Sequence, residues 1–117
     1  MTLLLLAAVG AALPTVSAGG ADRALEWSPE LADALQTYRA GDYASARALA
    51  ERVLAHTQDP QVRLDAGALR AMTWLASPSR ADRQMGIGDI GQLYREHPEL
   101  AERPECNLAL GAARSAL

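Results

Sequence analysis

The sequence lacks two residue types altogether and is poor in a third class. It contains no phenylalanine and no lysine, its 11 basic residues are all arginines, and aromatic side chains make up 4% of its 117 residues. Alanine supplies much of the hydrophobic half of the chain. Sheet cores draw on β-branched and aromatic residues, whereas alanine has the highest intrinsic helix propensity. The composition therefore predicts an all-α protein.

Clusters of positive charge and of metal-ligating side chains are also scarce. The formal net charge is −3, and no run of arginines is long enough to follow a phosphate backbone, which disfavours nucleic-acid binding. The single cysteine, Cys106, cannot form an internal disulfide or build a metal site alone, so we expect a buried apolar residue. His56 and His97 lie near predicted helix C-termini, where a positively charged side chain interacts favourably with the helix dipole. We expect no cofactor and no metal.

Long apolar runs are missing except near the N-terminus. Leu3–Leu13 is an uncharged run that precedes the small residues Val16-Ser17-Ala18. This pattern is typical of a signal peptide cleaved after Ala18. The apolar run is shorter than the ~20 apolar residues that cross a bilayer. We predict a signal peptide over residues 1–18, a flexible linker over 19–26, a periplasmic or secreted location, and no membrane-spanning segment in the mature chain. Because Met1-Thr2 carries no basic residue, a retained anchor and a cytoplasmic protein stay open as alternatives.

Apolar residues recur at helical spacing in five segments after the linker. Pro29, Pro60 and Pro104 occupy positions typical of helix starts, and Gly41-Asp42 is a stop signal. The predicted helices run from Pro29 to Gly41, from Tyr43 or Ala44 to His56, from Pro60 to Leu75, from Arg80 to Glu96, and from Pro104 onward. In the second helix, Arg47 and Glu51 are four residues apart and are expected to pair.

The turn between the first two helices resembles that of a tetratricopeptide (TPR) repeat. The residues Gly41-Asp42-Tyr43-Ala44-Ser45-Ala46 are similar to the Gly-x-Tyr-x-x-Ala element that joins the two helices of such a repeat. Asp65-Ala66-Gly67-Ala68 and Asn107-Leu108-Ala109-Leu110-Gly111 resemble the first helices of further repeats. The resemblance covers residues 27–117. It implies an all-α fold, a short TPR-like α-solenoid of about two antiparallel helix pairs plus a final helix; a plain helical bundle is the alternative.

The resemblance also implies how such a fold would be used. Stacked helix pairs in this family form a right-handed superhelix, and its concave face, lined by the first helix of each pair, holds peptides or partner segments. On that basis the candidate partner-binding residues are Arg39, Arg63 and Arg70. Trp27 is a further candidate as an aromatic contact on a binding groove, with a core anchor as its alternative. Small residues are expected to allow close helix approach, and they are Ala46, Gly67, Gly86 and Gly111. The unpaired final helix either caps the solenoid or marks a shortened chain.

Two motifs that suggest chemistry are better interpreted as structure. Gly86–Gly91 spells G-x-G-x-x-G, but a dinucleotide-binding loop follows a β-strand, and polar, helix-like residues precede this one. Glutamates recur every third residue from Glu96 to Glu105, with Arg95 and Arg103 among them, and we interpret this segment as a solvated surface. The sequence contains no catalytic constellation, so we do not expect an enzyme.

The leading hypothesis is an exported TPR-like adaptor or scaffold that binds another protein or a peptide segment. One alternative is a self-associating structural component of a larger helical-repeat assembly, in which the partner is a second copy. Another is an enzyme of unrecognised type.

Overall fold

The computed structural model of the protein describes residues 26–116, and this part of the chain is helical without any strand. It contains five α-helices and two short 3-10 helices. In chain order, the α-helices are α1 (Ala32–Arg39), α2 (Tyr43–His56), α3 (Pro60–Leu75), α4 (Arg80–Glu96) and α5 (Pro104–Ser115). The 3-10 helices are Pro29–Leu31 before α1 and Pro98–Glu102 before α5. The all-α prediction is confirmed, and the predicted helix boundaries agree closely with the observed ones.

Local sequence signals explain where the helices begin and end. The side chains of Asp42, Asp59 and Ser79 accept hydrogen bonds from backbone N–H groups in the first turns of α2, α3 and α4. Gly41 ends α1 with a φ of 91°, a left-handed conformation in which glycine has no Cβ penalty. The N–H groups of Gly41 and Asp42 then bond back to the carbonyls of Tyr38 and Thr37, which satisfies two unpaired acceptors of the helix end.

Helix α3 lies at the centre of the described chain and contacts α2, α4 and α5. Its buried residues occupy more than one face, as expected of a helix that is packed on several sides. The core around it is built mainly from leucine, alanine and methionine side chains. Its largest fully enclosed hydrophobic members are Leu31, Leu69, Met72, Ile90, Leu100 and Cys106.

One glycine is required for the close approach of α3 and α4. A Cβ atom added at Gly86 would lie 2.9 Å from the backbone nitrogen of Leu75 and 3.1 Å from the carbonyl oxygen of Ala71. The prediction that Gly86 allows close helix approach is therefore confirmed. The residues of the G-x-G-x-x-G motif lie inside α4. A Cβ at Gly67 would make ordinary contact at 3.9 Å, and one at Gly111 would meet no atom of the described chain within 4 Å. Neither of these two positions needs glycine for packing within residues 26–116.

Other predictions have mixed outcomes. Cys106 is fully buried, as expected. The expected Arg47–Glu51 pair does not form, because the Arg47 guanidinium instead lies 3.5 Å from the ring centroid of Trp74 and its Nε donates to the Thr73 hydroxyl at 2.9 Å. The predicted signal peptide and residues 19–25 of the predicted linker lie outside the described residues. Within the described residues, no helix has both the length and the hydropathy needed to cross a bilayer.

Candidate functional site

The surface of the described chain has an open groove of about 500 Å³ between the α1–α2 turn and α5. The C-terminal end of α3 forms part of its lining, and α5 forms one long wall. Most of the lining is apolar or aromatic, and its main members are Tyr38, Tyr43, Leu75, Leu108, Ala109 and Ala112. A groove of this size and composition suits an apolar ligand segment. We call it the α5 groove.

Two tyrosines form the wall that faces α5. Tyr38 lies at the end of α1 and Tyr43 at the start of α2, so the tight turn at Gly41 brings them together. Their ring centroids are 5.3 Å apart with the planes inclined at 60°, a favourable tilted arrangement. Burial raises the pKa of Tyr38 to about 12, with smaller contributions from Tyr43 and Glu105. The phenol therefore stays neutral and serves as an apolar ring with a polar tip.

Leu108 projects from the opposite wall and is 72% exposed. It lies on the face of α5 away from Cys106 and Leu110, which are buried in the core. A single exposed leucine is common on protein surfaces, whereas a contiguous apolar patch marks an interaction site, and Leu108 adjoins the apolar lining of the groove. Leu108 and the two tyrosines together present three large side chains to whatever enters.

A carboxylate that is paired with an arginine lies at one end of the groove. Glu105, in the first turn of α5, accepts a hydrogen bond from the Arg39 Nε at 2.9 Å and one from the Trp27 indole Nε1 at 3.2 Å. The hydrogen bond from Arg39 is the main cause of the lowered pKa of Glu105. The pair joins the end of α1 to the start of α5 and so fixes the distance between the two walls.

Arg83 lies at the other end, and it has no acidic partner among residues 26–116. Arg83 Nη1 donates to the carbonyl oxygens of Ser77 and Pro78 at 3.0 and 2.8 Å, and its Nη2 donates to that of Ala116 at 3.3 Å. Its Nε is buried and has no hydrogen-bond partner among residues 26–116. Within that range no carboxylate lies within 4.0 Å of the Arg83 guanidinium. The groove thus has a paired anion at one end and a cation bonded only to carbonyl groups at the other.

A second polar cluster is enclosed in the core behind the groove. The carboxylate of Asp65, fully buried in α3, lies 2.8 Å from Nη1 of Arg103, which is 2% exposed. The oxygen that faces Arg103, Oδ1, also accepts from the Gln61 side-chain amide at 3.1 Å. The other oxygen, Oδ2, accepts from the Ser28 backbone N–H at 2.7 Å and from its hydroxyl at 2.6 Å. Both oxygens are therefore occupied by protein donors. This carboxylate is suited to holding helices together and poorly suited to proton transfer.

Arg103 extends this cluster to the N-terminal side of the described chain. Its Nη2 donates to the carbonyl oxygen of Glu26 at 3.0 Å, and its guanidinium lies 4.7 Å from the ring centroid of Trp27. The interpretation of residues 96–105 as a solvated surface is therefore wrong for Arg103. An arginine among glutamates looks exposed in the sequence, but here it turns inward to meet the acidic side chain of α3.

The four residues predicted to bind a partner occupy three different places. Arg39 and Trp27 come together at Glu105, beside the α5 groove. Arg63 instead bonds the carbonyls of Leu54 and Thr57 at the end of α2, at 2.8 and 3.1 Å. Arg70 lies in a separate small depression between α3 and α4. None of the four is among the side chains that line the groove.

Sequence reasoning did not select the residues that line the groove. In the sequence, Tyr43 belongs to the turn that resembles a TPR element and Leu108 to the segment that resembles a further first helix. A signal was available at Leu108, because with Cys106 and Leu110 both buried, a third large side chain on the same helix was left without a core position. Arg83 carried no signal, since it is one of two arginines in the first half of a polar segment.

The described residues contain no group of three or more histidine, cysteine, aspartate or glutamate side chains arranged to hold a metal ion. Comparison with protein-family models, with curated proteins and with solved structures finds nothing that matches this chain.

Proposed function

We propose that this protein is an exported, TPR-like adaptor or scaffold that binds a segment of another protein in the α5 groove and carries out no catalysis. The observation that carries the proposal is the groove itself. It exposes Leu108 and Tyr43 beside the half-buried Tyr38, and aromatic side chains in such positions are frequent anchors of protein–protein interfaces.

Three features support the repeat-like part of the proposal. Consecutive helices pack against each other, the central α3 also contacts α5, and the Gly41 turn joins α1 to α2 as the TPR resemblance implies. Each helix pair is too thin to enclose its own apolar face, so stacking of pairs is the physical reason for a shared core.

The binding proposal is tested by site-specific photo-crosslinking. A photoreactive phenylalanine analogue at position 108 should capture a partner protein in an envelope extract. The matched control carries the analogue at Arg52, which is exposed on α2 and does not line the groove. Capture at position 108 that is lost when Tyr43→Ala is added, with no capture at position 52, supports the proposal. Equal capture at both positions, from protein shown by circular dichroism to be folded, argues against it.

Export is tested separately by the mass of the protein recovered from the cell envelope. Cleavage after Ala18 leaves a chain that starts at Gly19. Intact-mass spectrometry that finds residues 19–117 supports an exported mature form. Recovery of the full-length chain from the cytoplasm alone would contradict the localisation proposal while leaving the binding proposal intact.

Self-association is the second candidate function, and one observation favours it. The outward face of α5 carries Leu108, Gly111, Ala112 and Ser115, all of them exposed. Small residues spaced three and four apart allow a second helix to approach closely. Sedimentation at high protein concentration distinguishes the two candidates, because a dimer that dissociates on Leu108→Asp would favour self-association, whereas a monomer at all concentrations would exclude it.

A further inference from the structure

We infer that the α5 groove is built for an amphipathic helix of a partner protein that carries an acidic side chain two helical turns away from an apolar anchor. This inference rests on the proposed function and specifies the chemistry of its partner. It follows from the order in which aromatic, small and cationic side chains occur along the groove.

The apolar anchor belongs at the end of the groove near the tyrosines. Tyr38 and Tyr43 stand on one wall and Leu108 on the other, and Leu75 lies between them. Tyr43 and Leu108 are two of the large hydrophobic side chains that the described surface exposes. A leucine-sized side chain placed between them would bury apolar area on both walls, which is the main source of binding energy for such a segment.

The walls beyond the anchor are lined by small side chains. Ala109, Ala112 and Ala116 follow one another along α5, and Ala76 faces them from the end of α3. Small side chains leave room for a whole helix, whose axis then runs along α5 as in helix-in-groove recognition. An extended strand would need an unpaired strand edge for its backbone hydrogen bonds, and the described chain has no strand.

The acidic side chain is specified by Arg83. A guanidinium has five N–H donors, and the carbonyls of Ser77, Pro78 and Ala116 account for three of them. Among residues 26–116 no carboxylate lies within ion-pair distance of Arg83, and the acceptors that it contacts there are backbone carbonyls of the α3–α4 loop and of Ala116. A carboxylate on the ligand would supply a charge-assisted hydrogen bond there, and these are among the strongest in proteins.

The opposite end of the groove does not offer a matching site for a basic side chain of the ligand. Glu105 is already held by Arg39 and Trp27, so a basic residue on the ligand would have to compete with two existing donors. The net charge of the chain is −3, so no long-range field attracts an acidic ligand. Selectivity for a carboxylate must therefore come from the local contact with Arg83.

The spacing between the apolar anchor and the acidic side chain of the ligand follows from helix geometry. Arg83 bonds Ala116, which lies eight residues beyond Leu108 on α5, a distance of about 12 Å along the helix axis. On a ligand helix, two residues seven positions apart lie on the same face and about 10.5 Å apart. The ligand therefore has its carboxylate at i+7 or i−7 from the apolar anchor.

The inference is tested with three fluorescein-labelled amphipathic helical peptides of about 15 residues. All carry the same two leucines one turn apart, and they differ only at the seventh position from the first leucine, which is glutamate, glutamine or lysine. Binding to the mature protein is followed by fluorescence anisotropy. We expect the glutamate peptide to bind at least about tenfold more tightly than the glutamine peptide, and the lysine peptide to bind most weakly.

Protein variants assign this preference to Arg83. In Arg83→Gln the three peptides should bind alike, whereas Arg80→Gln, an equal change of charge at an exposed position of the same helix, should keep the preference. Because Arg83 also bonds the ends of α3 and α5, the folding of the variant is checked by circular dichroism. A second measurement on the unaltered protein avoids that concern, since raising the salt from about 0.05 M to about 0.5 M should shrink the preference of glutamate over glutamine.

Two outcomes would overturn the inference. Equal binding of the glutamate and glutamine peptides to the unaltered protein would remove the acidic requirement and leave the binding proposal standing. Binding of none of the peptides would remove the helical ligand, and the crosslinking experiment would then decide independently whether the groove binds a protein at all.

Discussion

At the scale of single residues, Asp65 and Arg103 are the two charged side chains enclosed by the described core. An ion pair removed from water is favourable only when its remaining donors and acceptors are satisfied, and Ser28 and Gln61 do this for Asp65. The pair links α3 to the start of α5, and through the Glu26 carbonyl it also holds the segment that precedes α1. Its function is therefore to position helices.

Removing the buried carboxylate charge should destabilise the whole domain. Asp65→Asn removes the carboxylate charge from a buried ion pair with Arg103, and we expect the free energy of unfolding to fall by about 3–5 kcal/mol. The measurement is urea unfolding followed by circular dichroism. The control is Asp89→Asn, an exposed position on α4, where the change should be within about 0.5 kcal/mol. Similar losses in the two variants would contradict the structural role of Asp65.

Two glycines of α4 should respond to alanine with opposite signs. Gly86→Ala places a Cβ 2.9 Å from the Leu75 nitrogen, so α3 and α4 must separate, at a cost of about 1–3 kcal/mol. Gly88→Ala meets no atom of the described chain within 4 Å and should stabilise the helix by up to about 1 kcal/mol. Thermal unfolding of both variants tests this, and a stabilised Gly86→Ala protein would refute the close packing.

At the scale of helices, the ion pair between Arg39 and Glu105 is the tie between α1 and α5. Both side chains are partly exposed, at 56% and 29%, so the pair contributes less than about 1 kcal/mol. Its importance lies in geometry, because Glu105 lines the groove and also receives the Trp27 indole hydrogen bond. The width of the groove thus depends on a contact that acid can weaken.

The contribution of the Arg39–Glu105 ion pair to the free energy of unfolding should depend on pH. The pKa of Glu105 is lowered in the folded protein, mainly by the Arg39 hydrogen bond, so its stabilisation is complete above the ordinary carboxyl pKa and is lost as the pH falls through the folded-state pKa. Unfolding of the unaltered protein and of Glu105→Gln should therefore differ in stability at pH 7, and the difference should shrink as the pH falls through the lowered pKa of Glu105. A difference that stays constant over this range would show that the carboxylate charge is not responsible.

At the scale of the whole molecule, the docking of α5 on α3 can be followed through one thiol. Cys106 is fully buried on α5, its Sγ lies 3.7 Å from the Met72 Sδ, and burial raises the pKa of the thiol to about 11. Both effects suppress reaction with thiol reagents, because the reagent cannot enter and little thiolate forms at neutral pH.

We expect Cys106 in the folded protein to react with Ellman's reagent only as fast as the protein opens. The reaction should accelerate by orders of magnitude in urea and should also be faster in Asp65→Asn, where α5 is held less firmly. Labelling rates monitored by absorbance provide the measurement. Complete labelling within the mixing time in the absence of urea would show that α5 does not stay docked.

The sequence by itself determined the helices of the described chain and the absence of a sheet among residues 26–116. Alanine content, the proline and aspartate start signals and the Gly41 stop act within a few residues of each other, so local physics was enough to place α2, α3 and α4 closely. The need for a small residue at Gly86 was also readable, because a glycine inside a helix costs stability unless packing requires it. The burial of Cys106 followed from its chemistry in the same way.

Only the tertiary structure decided which side chains meet. Asp65 and Arg103 are 38 positions apart, and neither their pairing nor the turning inward of Arg103 has a local signature. The groove depends on the same kind of information, because Tyr38, Arg83 and Leu108 come together only when α5 has docked on α3. Helix formation is set by neighbours along the chain, whereas a binding surface is set by how the helices pack, and that depends on contacts between residues far apart in sequence.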